Sequence, residues 1–151
     1  SLIASCCAVG AASVGASPEE VECMRRFGEK VGLAFQIKDD IFDFKKAGDI
    51  GKPKGIDIKE QKMTLPLIYM LQQMSASEKR RVKTTIKRYH NDPQKIQRLM
   101  DEVNSSGGIE YAQKKMEVLV AEAMELLKGR EDTVYLNSLK GLVTYSISRD
   151  K

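Results

Sequence analysis

Apolar residues along this chain recur at three- and four-residue intervals, and no stretch alternates apolar with polar as a half-buried strand would. The pattern predicts an all-α protein. Ser17-Pro-Glu-Glu20 opens the longest helix, with Ser17 as N-cap, Pro18 in the first helical position and Glu20 completing a capping box. No breaker stronger than Gly28 and Gly32 follows until Gly48, so the helix should run for about 28 residues, roughly 42 Å. Two glycines four apart would let a neighbouring helix come close. Before it, Ser1 to Ala16 is rich in Ala, Ser and Gly and lacks the basic start of a signal peptide, which favours a closely packed small-residue helix.

After a loop over Asp49 to Asp57, a helix should begin at Thr64-Leu-Pro66 and bury Leu67, Ile68, Met70, Leu71 and Met74. Ser77 is the expected cap of a helix from Glu78 to His90, and Asp92-Pro93 starts another through Met100 and Val103. Ser105-Ser-Gly-Gly108 interrupts it. A long amphipathic helix then carries Met116, Leu119, Val120, Ala123, Leu126 and Leu127, and a last one follows Gly129 with Val134, Leu136, Leu139, Leu142, Val143 and Ile147. There is no repeat, low-complexity stretch or internal linker, so residues 1–151 read as one all-α segment.

Within this frame Gly32-Leu-Ala-Phe-Gln-Ile-Lys-Asp-Asp-Ile-Phe-Asp-Phe44 stands apart. At 100° per residue, Gln36, Asp40 and Asp43 fall within about 60° of one another, with Asp39 beside them. The remaining residues are apolar on nearly every side, so the carboxylates are expected to face inward. Like charges this close repel, and an unpaired buried carboxylate costs several kcal/mol unless a cation meets it. Lys38 points away from the stripe, while Lys45 and Lys46 sit at the helix end. Oxygen ligands at this spacing suit a hard ion, above all Mg²⁺, which is held by one or two carboxylates with waters and substrate phosphates. The competing reading is an acidic stripe on a partly exposed helix.

Composition narrows the field only modestly. The chain has 151 residues, 42% of them hydrophobic and 30% charged, with a formal net charge of +4, enough for one domain with a real core and mildly favourable to anionic ligands. Cys6, Cys7 and Cys23 lack metal-site spacing, which predicts reduced, buried thiols. His90, the one histidine, lies near a helix end and reads as structural. Lys79, Lys83 and Lys87 line one helix face with Arg80, Arg81 and Arg88 nearby; few aromatics interleave and no recognition motif accompanies them, so a solvated face is expected rather than nucleic-acid binding.

The acidic stretch and its continuation resemble the trans-polyprenyl diphosphate synthases, the family of farnesyl, geranylgeranyl and octaprenyl diphosphate synthases. The resemblance is carried in order by Gly32, Phe35, Gln36, Asp39, Asp40, Asp43, Gly51, Lys52, Gly55, Asp57, Lys62, Thr64, Leu65 and Pro66. Gln61 departs from the pattern, since the family has glycine there, and this bears on the turn that aims Lys62. The resemblance implies the helical bundle of isoprenoid synthases and Mg²⁺-assisted condensation of isopentenyl diphosphate with an allylic prenyl diphosphate. It also implies roles. Asp39, Asp40 and Asp43 would serve catalysis as metal ligands, Asp39 directly and the others directly or through water. Lys52 and Lys62 would contact the allylic diphosphate, Gln36 would orient substrate or metal-bound water, and Asp57 would hold the lysine loop.

The family's first aspartate-rich motif has no counterpart in these residues. The chain therefore reads as the C-terminal half of a synthase, inactive by itself. The tail from Tyr145 resembles long-chain members, and the family implies a cytoplasmic homodimer whose membrane contact, if any, is peripheral and through its product. Two other readings stay open: a non-catalytic partner in a heteromeric synthase, which the retained aspartates and Lys52 oppose, and a non-enzymatic helical module, which leaves the Gly-Lys loop and Thr-Leu-Pro unexplained.

Overall fold

The structure is a computed structural model and describes residues 1–44 and 55–148. Among these residues eight helices and no strands are found: α1 (Leu2–Ser13), α2 (Pro18–Phe44), α3 (Ile56–Lys59), α4 (Leu65–Gln73), α5 (Ala76–Tyr89), α6 (Pro93–Ser105), α7 (Gly108–Glu125) and α8 (Val134–Ser148). The all-α expectation therefore holds. The molecule divides into two compact units, one gathering Ser1–Gln36 with the stretch from Lys115 onward, the other Ile37–Lys114.

In the first unit α1 lies against α2 at its glycines. A Cβ on Gly28 would stand 2.7 Å from the carbonyl oxygen of Ile3 and 2.9 Å from the Cα of Ala4, and one on Gly32 would meet the Ser1 hydroxyl at 2.9 Å. The small-residue contact expected of Gly28 and Gly32 is thus real. The core of this unit joins Phe27 to Ala123, Leu127, Leu136 and Val143. Ser17 accepts the Glu20 amide at 3.2 Å, as an N-cap should. The Glu20 carboxylate instead pairs with Arg130, because a guanidinium from the α7–α8 connection outcompetes the neutral amide a capping box would offer.

The second unit buries Phe44, Ile58, Leu67, Met70, Val82, Ile86, Ile96, Leu99, Met100 and Val103 in one cluster. Helices α4 and α5 both pack on α6. The cap of α5 is Ser75 and not Ser77. Ser75 has a glutamate three residues on, and the reciprocal bonds between Ser75 and Glu78 form a capping box that Ser77 cannot build. Asp92 caps α6 through the amides of Gln94 and Lys95. Helix α3, which begins within the Asp49–Asp57 stretch expected as loop, is too short to leave a periodic signal.

Candidate functional site

Helix α2 ends with Gln36 exposed and Asp39, Asp40 and Asp43 half-buried. Its opposite side buries Ala34, Lys38, Ile41 and Phe44, and the Lys38 ammonium lies 4.9 Å from the centre of the Phe42 ring. The carboxylates are thus half-buried instead of fully inward, because the fold buries the side that carries Ala34, Ile41 and Phe44. At Phe44 the backbone carbonyl accepts the side-chain amide of Asn104 at 3.3 Å.

Asp43 is the residue whose role the geometry defines most sharply. One of its oxygens accepts the Ile56 amide at 3.0 Å and the other the Asp57 amide at 3.1 Å. These are the first amides of α3, orphan donors that an aspartate suits. Burial pushes the Asp43 carboxyl up from its ordinary value; the Ile56 and Asp57 amides pull against that shift, while the Asp57 charge adds to it. Gly55 makes this approach possible. It adopts φ 64°, and a Cβ there would lie 2.9 Å from Ile96 and 3.0 Å from Met100, so both backbone and packing call for glycine.

Helix α3 closes as a Schellman turn. The Lys62 amide donates to the Asp57 carbonyl at 2.8 Å and the Gln61 amide to that of Ile58 at 3.0 Å. Gln61 occupies the left-handed position at φ 59°, the one non-glycine residue with positive φ among the described residues. The turn is therefore the one glycine would make. It brings the Lys62 ammonium to 3.0 Å from Asp57 and 2.6 Å from Glu60, and the hydrogen bonds to Glu60 and Asp57 raise its pKa above the ordinary lysine value. Directly after it, Thr64 stands at the N-cap of α4, with its hydroxyl buried and without a hydrogen-bond partner among the described residues.

Asp43, Asp57 and Lys62 are thus linked through α3. Gln36, Asp39 and Asp40 share their helix face with Asp43, but no three His, Cys, Asp or Glu side chains among the described residues gather as a metal cluster. Lys52 lies outside the described residues. Sequence reasoning missed Asn104 as the anchor of the acidic helix end, since nothing local in Val103-Asn-Ser105 points to a carbonyl sixty residues away. It also passed over the Thr64 hydroxyl. The three cysteines are free, with Cys6 exposed and Cys7 and Cys23 half-buried.

Comparison with known proteins places the chain in a family. The polyprenyl synthetase family model matches residues 1–103. The octaprenyl diphosphate synthase of Escherichia coli is 28% identical over 138 residues, 91% of this chain and 42% of that protein. The geranylgeranyl pyrophosphate synthase of Bacteroides thetaiotaomicron superposes with a TM-score of 0.88 at 36% identity, covering 98% of this chain and 49% of that one. That of Corynebacterium glutamicum, complexed with calcium and isoprenyl diphosphate, does so with a TM-score of 0.81 at 27% identity, covering 97% and 45%. The chain spans less than half the length of these relatives. With the family model matched over more than half of its length and its helices superposing on those of these synthases, the chain belongs to the polyprenyl synthetase family.

Proposed function

We propose that these residues form the second aspartate-rich site of a trans-prenyltransferase that condenses isopentenyl diphosphate with an allylic prenyl diphosphate, giving a long-chain product. The observation that carries the reading is the set of hydrogen bonds from Asp43 through α3 to Lys62, which joins the end of the carboxylate stripe to the lysine turn. The long-chain assignment is supported by the octaprenyl relative.

The donor set fits a divalent ion in part. Asp39 and Asp40 are half-buried hard oxygen donors on α2, and Mg²⁺ needs only one or two carboxylates beside waters and phosphates. Asp43 has both oxygens committed to amides of α3, so in this reading it holds the loop and reaches a metal at most through water. Calcium in the Corynebacterium relative is consistent with a divalent-ion site in this fold. Bound Mg²⁺ would stabilise the charge that builds on the departing diphosphate. The chain's own part is positional: Asp39 and Asp40 receive the cation, Lys52 and Lys62 bind the diphosphate, Gln36 orients it, and Asp57 holds Lys62. The homodimer and cytoplasmic setting that accompany this reading rest on family membership alone.

The test uses the intact gene product with farnesyl diphosphate, labelled isopentenyl diphosphate and Mg²⁺. Long prenyl diphosphates should form and vanish with EDTA. Asp39→Asn and Lys52→Ala should each lower kcat/KM by about 100-fold or more and weaken Mg²⁺-dependent pyrophosphate binding. Unchanged pyrophosphate affinity in both variants would sink the site assignment. A folded protein without turnover would instead favour a non-catalytic partner subunit.

A further inference from the structure

The outer face of α5 carries charge that the fold leaves unused. Down the helix axis, Lys79, Lys83, Lys87, Arg80 and Arg88 fall within an arc of about 180°. No carboxylate lies in that arc, because Glu78 projects from the other side and is taken up by the capping box with Ser75. The helix is held from beneath by buried Val82 and Ile86. Several cations elsewhere meet acids: Arg25 with Glu22 and Glu29, Lys30 with Glu122, Lys62 with Asp57, Arg81 with Glu102. Among the described residues none of the five on the outer arc forms an ion pair. With Ala76 and Thr84 between them they line one shallow, open depression.

Lys79, Lys83 and Lys87 repeat at i, i+4, a spacing at which like charges destabilise a helix, so anions on this face would relieve a standing repulsion. The face is open and rests on no buried polar group, which disfavours a single small anion. It offers no aromatic side chain on which a base could stack. Neighbouring Tyr89 has the Lys95 ammonium 3.2 Å from its ring centre. Spread positive charge with no apolar wedge matches a plane of dispersed anions, and four to eight basic residues is the size of cluster that reads anionic lipid. We propose that this face of α5 docks the protein peripherally on an anionic phospholipid bilayer, the five cations meeting headgroup phosphates. Helix α5 lies outside the aspartate-rich stretch, so membrane docking and prenyl transfer can fail separately.

The experiment is flotation of the full chain with vesicles of phosphatidylcholine alone and of phosphatidylcholine mixed with phosphatidylglycerol. Binding should need phosphatidylglycerol and fall steeply with salt. Lys83→Gln and Lys87→Gln, both exposed and compatible with a helix, should each lower partitioning about five-fold and together about 25-fold. Lys128→Gln removes the same charge elsewhere and should leave it unchanged. Circular dichroism identical to the parent chain keeps the comparison valid; should the double variant misfold, the folded single variants and the salt series decide. Equal binding to neutral vesicles, no binding to either, or an equal loss with Lys128→Gln would overturn the proposal.

Discussion

Gln61 holds a backbone conformation, φ 59°, that costs an L-residue about 1–2 kcal/mol relative to glycine. The Schellman bonds of Lys62 and Gln61 keep it there, and the usual apolar contact across such a turn is replaced by the Lys62–Asp57 ion pair. Gln61→Gly should therefore raise stability by about 0.5–1 kcal/mol, because the relieved strain exceeds the added freedom of the unfolded chain. Urea denaturation checks this: a higher midpoint at unchanged slope is expected, whereas a lower one would mean the turn carries no strain. The motif positions Asp43, Gly55, Asp57 and Lys62 were legible in the chain, as was the oddity of Gln61. That Asp43 bonds two amides of α3 was not, since those partners lie across a stretch with no periodic signal.

Among the elements, α2 was legible because its pattern, start signal and lack of breakers agree. The structure describes it over Pro18–Phe44, 27 residues. The Ser75 cap was misplaced by two residues, since Ser75 and Ser77 are equally good caps by type and only the position of Glu78 selects between them. The pairing of α1 with α2 yields a sharper expectation. A methyl group at Gly28 would press on the backbone of Ile3 and Ala4, and backbone yields less readily than a side-chain tip. Gly28→Ala should cost about 1–3 kcal/mol and make α1 more accessible to protease. A thermal midpoint equal to that of the parent chain would show that α1 shifts without penalty.

For the whole molecule, the described helices leave large apolar side chains in solvent. Leu2 is 80% exposed on α1 and Tyr135 83% exposed on α8, where Leu142 and Tyr145 are also open. Exposed apolar surface on this scale marks an association site or an aggregation liability. The 151-residue chain alone should self-associate as its concentration rises and bind a dye such as ANS; a monodisperse, cooperatively melting monomer in sedimentation and calorimetry would contradict this. No helix among the described residues is long and apolar enough to cross a membrane.

The all-α class, most helix starts, the aspartate stripe and the glycine positions follow from the amino-acid order alone, because periodicity, capping and φ preference act over a few residues. Which side of α2 is buried followed only from the tertiary structure. Local apolar density suggested inward carboxylates, yet burial is decided by where Ile41 and Phe44 find partners. The same holds for Asn104 on the Phe44 carbonyl and Arg130 on Glu20. These are bonds between residues sixty and more positions apart, and their formation depends on packing that no short window of sequence contains.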